Sequence, residues 1–500
     1  MQGPEQTGSI QRFELINAET LSQEVSTESI VPDSMPDVEK ILLTDGKIHI
    51  RSAAVSDGRI ELDGTVFGSI LYAGEGNDVP NLLEFSIPIS LSGNDTELED
   101  TDKLFINARI NASEGKALNT RKVSFRVEAA VCACVFRESE ADLTCELNGA
   151  EEAELLWETV DTGYISGIQE RAFTVSEELP LTDEQNGISD ILLYDLRIDT
   201  GEVRKVGGKM ILQGNADLSI LYTEEESKQI HSDHFQIPFS QIADAPEEDL
   251  SACMVSAVPS ACRIEPYAGI NGAKSIEAEI RLTARILTAA HASMRCVTDA
   301  YSPRYLCVNE CGKADLWGEC DISILKQQVK ESLRISDPVG EILYTKAECS
   351  VPFIAGDFIR IPVICSVVYK TPEGIVCAVS KRMQAEIDAP KENRNTICFG
   401  EASCHAVTAV PGNEQIDVSI EVRLPTMTAK TQPIQYLSAV RIDKESAIHL
   451  EEKPSVMVVR PNGRSLWKLA KEYSSTVDLI TAANPDSVSG NPAVLIPRAR

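Results

Sequence analysis

The sequence is poor in aromatic and basic residues. Aromatic side chains make up 5% of the 500 residues, so a core must rest mainly on Val, Ile, Leu and Ala. The chain has 46 Lys and Arg against 77 Asp and Glu, a formal net charge of −31. This excess of acid argues against nucleic-acid binding, because phosphates are held by Lys and Arg. It favours either a highly soluble protein or one that attracts a partner with a basic surface.

Long apolar runs and export signals are absent as well. No stretch approaches the ~18 consecutive apolar residues that a transmembrane helix needs. The N-terminal residues MQGPEQTGSIQRFELINAE lack the basic region and apolar run of a signal peptide. We therefore expect a cytoplasmic protein without a transmembrane segment, whose 14 cysteines are reduced thiols. Cys132, Cys134 and Cys365 lie in strand-like runs, where cysteine behaves as a small buried hydrophobe.

Metal-ligand spacing is almost missing. Cys307 and Cys311 are four positions apart, but no second pair completes a set of four zinc ligands. His231 and His234 have no evident third ligand, and we interpret them as residues of a polar surface loop. The sequence therefore predicts no metal site.

Catalytic patterns are missing too. The segment GINGAKS, residues 269–275, has Ala273 where a phosphate-binding loop needs glycine, so a hairpin turn is favoured. Cys404 and His405 are neighbours in an alternating strand, which points their side chains to opposite faces. With 6 histidines and neither a Gly-x-Ser-x-Gly nor an HExxH pattern, we expect no enzyme, no catalytic residue and no cofactor.

The first 450 residues do contain an internal repeat. DGTVFGSILY ends at Tyr72, and QGNADLSILY ends at Tyr222, which is 222 − 72 = 150 residues later. A weaker copy, IPVICSVVY, ends at Tyr369, a further 369 − 222 = 147 residues on. A second landmark recurs at nearly the same interval: Ile41-Leu42, Ile191-Leu192 and Ile342-Leu343.

Each repeat has the pattern of β-structure. Segments such as VSFRVEAAV from Val123 alternate apolar and polar residues, as half-buried strands do. Turn sequences such as VSDGR and VPGNEQ separate them and are typical of antiparallel hairpins. The sequence therefore predicts a mainly β protein with three antiparallel β-sandwich or barrel-like domains. The predicted domains are residues 1–150, 151–312 and 313–450, followed by a small module at 455–500.

The C-terminal module has a different pattern. VMVV, residues 456–459, and AVLIP, residues 493–497, are predicted strands around two short helices. Ser465 and Thr476 are the predicted N-caps of these helices. The first helix has an apolar stripe formed by Leu466, Leu469, Ala470 and Tyr473. The second has an inward face formed by Val477, Ile480 and Ala483.

This βααβ module resembles the LysM family. The matching residues are Pro461, Gly463, Ser465, Leu466, Trp467, Ala470, Tyr473, Val477, Ile480, Asn484, Ile496 and Pro497. LysM modules generally bind polymers of N-acetylglucosamine in a groove between two loops. The chain departs from the family in both loops: Asn462 is inserted after the proline, Arg464 replaces an acidic residue, and residues 490–492 read Gly-Asn-Pro.

The whole chain resembles SipL-like proteins of endospore-forming clostridia. The resemblance rests on VPDSMPDVEKIL, on the repeated SILY strands and on the terminal LysM module. It implies that the LysM module binds SpoIVA, the ATPase that organises the spore coat, rather than glycan. It also implies a location in the mother-cell cytosol at the forespore surface, where coat and cortex assembly are coupled.

The charge of the module differs from that of the body. Residues 455–500 hold six Lys and Arg against three Asp and Glu, a net charge of 6 − 3 = +3, which leaves −31 − 3 = −34 for the remainder. A basic module on an acidic body fits docking on an acidic protein surface. The alternative is that the module folds back onto its own body.

Aromatic and arginine side chains contribute most of the binding energy at protein interfaces, and the module has three such residues in its predicted first turn and helix. Trp467 and Tyr473 are predicted anchors beside Arg464, with core packing as the alternative for Tyr473. The full set of predicted partner-binding residues is Asn462, Gly463, Arg464, Trp467, Lys468, Lys471, Tyr473 and Asn484. The predicted function is a non-enzymatic scaffold of spore-envelope assembly. The alternative is a LysM protein that binds peptidoglycan of the cell wall or cortex.

Overall fold

The structure is a computed structural model that describes residues 8–181, 187–225, 227–245, 250–268, 274–389, 394–448, 454–485 and 493–499. These residues form 23 strands, two short α-helices and one short 3-10 helix. The prediction of a mainly β protein is confirmed.

Three units of the body repeat one order of elements: a long strand, a small sheet, and long strands that return to pair with the first. The first unit has β1 Ser9–Ile30, β2 Val38–Ser56, β3 Arg59–Gly74, β4 Asn77–Asn94, β5 Lys103–Asn119 and β6 Lys122–Asp142. The short strand β7 Glu146–Asn148 and the 3-10 helix Ala150–Glu152 follow it. The second unit has β8 Glu154–Pro180, β9 Ile188–Val206, β10 Lys209–Glu224, β11 Ile230–Asp244, β12 Leu250–Ala268 and β13 Lys274–Tyr301.

The third unit repeats this order with two additional short strands. It has β14 Tyr305–Arg334, β15 Glu341–Cys349, β16 Phe353–Ala355, β17 Phe358–Lys370, β18 Val376–Asp388, β19 Arg394–Phe399, β20 Ser403–Pro411 and β21 Gln415–Ala447. The C-terminal module consists of β22 Val456–Val459, α1 Leu466–Glu472, α2 Val477–Ala483 and β23 Val494–Pro497.

The small sheets have the strand orders β2-β3-β4, β9-β10-β11 and β15-β17-β16, with β18 also paired to β17. An eleven-stranded sheet runs through all three units. In it the long first strand of each unit pairs with the long last strand: β1 with β6, β8 with β13 and β14 with β21. These ribbons join where Phe13 pairs with Ile165 and Gly163 pairs with Trp317. Backbone hydrogen bonds therefore connect the first unit to the second and the second unit to the third.

Within each unit the small sheet and the large sheet enclose an apolar core. The tyrosines that close the repeated motif are core residues, because Tyr72, Tyr222 and Tyr369 are at most 2% exposed. Two of their hydroxyl groups are hydrogen-bonded inside the fold: Tyr72 donates to the Pro36 carbonyl oxygen at 3.1 Å, and Tyr222 donates to the Asp233 carboxylate at 2.9 Å.

Equivalent residues of the three units also meet one another. One apolar cluster contains Leu42, Leu192 and Leu343 together with Leu71, Leu221 and Val368. Each of the two positions is filled once by each unit. The units are therefore arranged around an approximate three-fold axis.

Three expectations about the body can be placed on this fold. His231 and His234 lie in β11, an edge strand of a small sheet, and the prediction of a loop was wrong. Their side chains lie on opposite faces of the strand, with His234 exposed and His231 half-buried beside the Tyr222 ring, the centroids 6.0 Å apart. Residues 269–273 of the predicted hairpin turn lie outside the described residues. The domain limits at 150, 312 and 450 stay predictions, and residue 312 lies within β14.

Candidate partner-binding site in the C-terminal module

The C-terminal module is built around a two-stranded sheet and two capped helices. Strands β22 and β23 pair antiparallel from Val456 with Pro497 to Val459 with Val494. The Ser465 hydroxyl accepts a hydrogen bond from the Lys468 backbone N–H at 3.3 Å, and the Thr476 hydroxyl accepts one from the Leu479 N–H at 3.1 Å. Both predicted N-caps are confirmed. The core of the module is formed by Leu469, Ala470, Ile480, Val494 and Ile496.

Asn462 and Gly463 form the exposed turn between β22 and α1. Their φ angles are 48° and 80°, and the Arg464 N–H donates to the Pro461 carbonyl oxygen at 3.0 Å. Two positive φ angles at the central positions are the mark of a type I′ turn, for which Asn-Gly is the favoured pair. Asn462, which departs from the LysM pattern, thus forms a defined turn with Gly463, which matches it.

The Arg464 side chain is used inside the module. Its guanidinium donates to the Pro461 carbonyl oxygen at 3.1 Å and to the Arg460 carbonyl oxygen at 3.1 Å. It also forms an ion pair with Glu472 on α1, at 2.7 Å. Hydrogen bonds with Tyr473 and Glu472 raise the pKa of Arg464 above its ordinary value. Arg464 therefore ties the turn to the end of α1.

The Asn484 side chain joins α2 to the last strand. Its amide nitrogen donates to the carbonyl oxygens of Ile480 and Leu495, both at 2.7 Å. Its amide oxygen accepts from the Leu495 N–H at 2.8 Å. These contacts account for an asparagine at the end of α2 without any ligand.

Trp467 and Lys471 reach across to the second unit of the body. The indole Nε1 of Trp467 donates to Oδ2 of Asp299 at 2.8 Å, and Nζ of Lys471 donates to Oδ1 at 2.6 Å. Burial by itself raises the pKa of Asp299, but the hydrogen bonds from Lys471 and Trp467 outweigh it and lower the pKa. The carboxylate is therefore held in its charged form by the module.

Tyr301, two residues after Asp299, completes the contact. It is 5% exposed and packs in the core of the module. Its ring lies edge-on to the Trp467 ring, with centroids 4.9 Å apart and planes at 75°. Its hydroxyl donates to the Ser475 carbonyl oxygen at 3.0 Å. The alternative in which the module folds back onto its own body is therefore realised in the structure.

A β-bulge and one like-charged pair shape this contact. The register of β13 shifts between Val297 and Asp299, which places an extra residue just before the aspartate and re-aims the chain. Glu154 pairs with Tyr301 in the same ribbon. Burial, and then the charge of Asp478 on α2, raise the pKa of Glu154. The contact thus joins opposite charges at Asp299 and brings like charges together at Glu154.

The eight predicted residues therefore separate into three groups. Arg464 and Asn484 stabilise the module, and Tyr473 is half-buried against its core. Trp467 and Lys471 face the body. The remaining three are exposed: Asn462, Gly463 and Lys468. Sequence reasoning missed Asp299 and Tyr301, because they lie more than 160 residues away in the second unit.

The described residues contain neither a membrane-spanning helix nor a cluster of metal ligands. Neither helix is long and apolar enough to cross a lipid bilayer. No three His, Cys, Asp or Glu side chains come together there in an arrangement able to hold a metal ion.

Comparison with known proteins relates the body of the chain to a family. Two segments, residues 37–114 and 187–264, match the family model described as SipL, SPOCS domain. The chain is thus similar to SipL. The two matches begin 187 − 37 = 150 residues apart, the interval found between the sequence landmarks. They cover β2 to most of β5, and β9 to most of β12. No curated protein and no solved structure matches the chain significantly.

The two SPOCS matches support the resemblance to SipL-like proteins and relate the chain to sporulation. They lie in the first two units and do not extend into the C-terminal module.

Proposed function

We propose that this protein is a non-enzymatic scaffold that couples coat and cortex assembly in the mother-cell cytosol, at the forespore surface. In this proposal the C-terminal module is a LysM module that binds the coat ATPase SpoIVA. The observation that carries it is the pair of SPOCS matches in the body, combined with a basic βααβ module that has the residue pattern of LysM.

The charges of the chain support a protein ligand for the module. Its net charge of +3, against −34 for the rest of the chain, favours an acidic surface. Lys468 and Lys471 are the basic residues of α1, and both are exposed. Lys471 is paired with Asp299, whereas Lys468 forms no ion pair with another described residue. Lys468 lies one position after Trp467 in α1.

The first experiment is a pull-down from sporulating cells with the full chain and with a version that ends at Pro454. We expect SpoIVA to be recovered with the full chain and lost with the shorter one. Recovery of equal amounts with both would place the binding surface outside the module.

A charge reversal at Lys468 sharpens the test. We expect Lys468→Glu to weaken binding to purified SpoIVA about ten-fold or more and to leave thermal unfolding unchanged, since the side chain is exposed. The matched control is Lys330→Glu, a reversal at an exposed lysine of β14 in the body. Unchanged binding by the Lys468 variant would remove this residue from the site. Arg464→Glu is a poorer test, because Arg464 also holds the turn.

Peptidoglycan is the second candidate ligand, because the module has the residue pattern of LysM, and in that family the loop that corresponds to the exposed Asn462-Gly463 turn borders the glycan groove. Sedimentation with purified peptidoglycan tests it directly. Retention of the full chain but not of the version that ends at Pro454 would favour the glycan.

A further inference from the structure

The contact between the module and the body contains a small, well-defined recognition unit. Two donors on α1, Trp467 Nε1 and Lys471 Nζ, converge on the two oxygens of one carboxylate, that of Asp299. The donors are four residues apart, so they lie on the same face of the helix, one turn apart. A hydrogen bond to an ionised group is stronger than one between neutral groups. This face of α1 is therefore built to receive a carboxylate.

The second element of the unit is an aromatic ring. Tyr301 follows Asp299 by two positions, and its ring lies edge-on to the Trp467 ring with centroids 4.9 Å apart. Its hydroxyl is received by the Ser475 carbonyl oxygen at 3.0 Å. The module thus binds an Asp-Ala-Tyr segment at the end of an extended strand through one charge and one ring.

We propose that this face of α1 is the surface that binds the protein partner, and that Asp299 and Tyr301 occupy it in place of a partner segment with the same chemistry. That segment would be extended and would carry Asp or Glu close to an aromatic residue. The inference rests on the proposed function, in which the module binds SpoIVA.

The contact with the body can be displaced because it is partly open and partly unfavourable. The side chains of Lys471 and Asp299 are 44% and 33% exposed, so solvent screens their ion pair. The carboxylates of Glu154 in the body and Asp478 in the module repel each other. Burial, and then this repulsion, raise the pKa of Glu154. A partner segment without a carboxylate in the place of Glu154 would avoid the repulsion from Asp478.

Competition has a measurable consequence. A binding face that is free only part of the time has an apparent Kd increased by the inverse of the free fraction. Weakening the contact with the body must therefore tighten partner binding, although no residue that touches the partner has changed.

The test compares Asp299→Asn with Asp388→Asn in the full chain, with purified SpoIVA as the probe. Asp299→Asn keeps the size of the side chain and removes its charge. Asp388 is an exposed aspartate of β18 in the third unit and serves as the matched control. We expect a Kd at least about three-fold lower for Asp299→Asn and an unchanged Kd for Asp388→Asn. Trp467→Phe and Lys471→Gln should raise the Kd, because each removes one of the two donors that bind the carboxylate of the partner segment.

A second variant and a second readout protect the test against a folding defect. Tyr301→Phe removes the bond to Ser475 and keeps the ring, and it should also tighten binding. Tyrosine-selective chemical labelling of Tyr301, which is 5% exposed beneath the module, should increase in wild-type protein when SpoIVA is added, since the partner takes its place on α1.

The outcomes separate the two proposals. If Asp299→Asn and Tyr301→Phe bind SpoIVA as tightly as the wild type or more weakly, the competition is overturned and the proposed function stands. Absence of SpoIVA binding by wild type and all variants overturns the proposed function, and this inference with it.

Discussion

The ammonium group of Lys346 lies 2.8 Å from Oδ1 and 2.9 Å from Oδ2 of Asp45, although 301 residues separate them in the chain. The two residues occupy equivalent positions of the repeat, since 346 − 342 = 4 and 45 − 41 = 4 count from the landmark isoleucines. The second unit has Asp195 at this position. An aspartate in every unit would gather three like charges near the approximate three-fold axis. The lysine of the third unit instead compensates them.

We expect Lys346→Met to destabilise the fold by about 3 kcal/mol, because it leaves the Asp45 carboxylate buried without its partner. Burial alone would lower the pKa of Lys346, but the charges of Asp45 and Glu348 hold it well above its ordinary value. The measurement is urea unfolding followed by circular dichroism. Lys330→Met, at an exposed lysine, is the control.

The double variant Asp45→Leu with Lys346→Met should recover most of that loss, since it removes both buried charges. If the single variant unfolds at the same urea concentration as wild type, the pair does not stabilise the junction of the first and third units.

Asp195 introduces a pH dependence with a known sign. Burial raises the pKa of Asp195 from 3.8 to about 6. The folded state therefore favours the protonated acid. The stability that protonated Asp195 contributes is complete below pH 3.8 and is lost as the pH rises through about 6. The charged groups that act on it are Lys346, Glu348, Arg197 and Lys47.

Asp195→Asn should therefore stabilise the protein at pH 7.5 by up to about 3 kcal/mol and have little effect at pH 4. Arg197 Nε lies 3.2 Å from Asp195 Oδ2 without the alignment of a hydrogen bond, so the loss of this contact costs little. Asp388→Asn should show no such difference between the two pH values. A destabilised Asp195→Asn at pH 7.5 would mean that the ion pair with Arg197 outweighs the cost of burial.

Local features of the fold follow from the sequence, whereas contacts between distant segments do not. Alternation in the repeated motif predicts β3 and β10, and the caps at Ser465 and Thr476 are confirmed. The placement of Leu466 on the buried stripe of α1 was wrong, since this residue is 41% exposed. Its neighbour Trp467 is turned inward by Tyr301, a residue of another unit. No periodicity marks such a partner.

The same limit applies to the charged contacts. Asp299 is one of 77 acidic residues, and nothing in its local sequence distinguishes it. The interval of 150 residues indicates repeated units, but not that their equivalent residues meet at one axis or share one sheet. Those features depend on how three similar surfaces pack, which one copy of the repeat does not encode.

Gly214 in the second copy of the repeated motif is required by close contact with the neighbouring strand. A Cβ atom there would lie 2.5 Å from the Asp199 carbonyl oxygen and 2.4 Å from the Phe239 ring. Its equivalent in the first unit, Gly64, has the His49 carbonyl oxygen at 2.6 Å. We expect Gly214→Ala to lower the thermal midpoint, with a cost of about 1–3 kcal/mol for the forced shift.

Gly208→Ala is the matched control for this substitution, since a Cβ atom there meets nothing within 4 Å. The two glycines lie in the same hairpin, with Gly208 in the turn before β10 and Gly214 within β10. Equal midpoints for the two variants would show that β10 moves away from its neighbours without cost.

Arg464 either stabilises the module only or also contacts the partner directly, and a charge exchange separates these two roles. Arg464→Glu breaks the ion pair with Glu472 and the bonds to the carbonyl oxygens of the turn. We expect faster hydrogen exchange in α1 and weaker SpoIVA binding. Adding Glu472→Arg restores the ion pair with the charges exchanged, and exchange in α1 should slow again. If Arg464 acts only through the fold, the charge-swapped variant also regains binding. Restored protection of α1 without restored binding would instead show that the partner contacts the Arg464 charge directly.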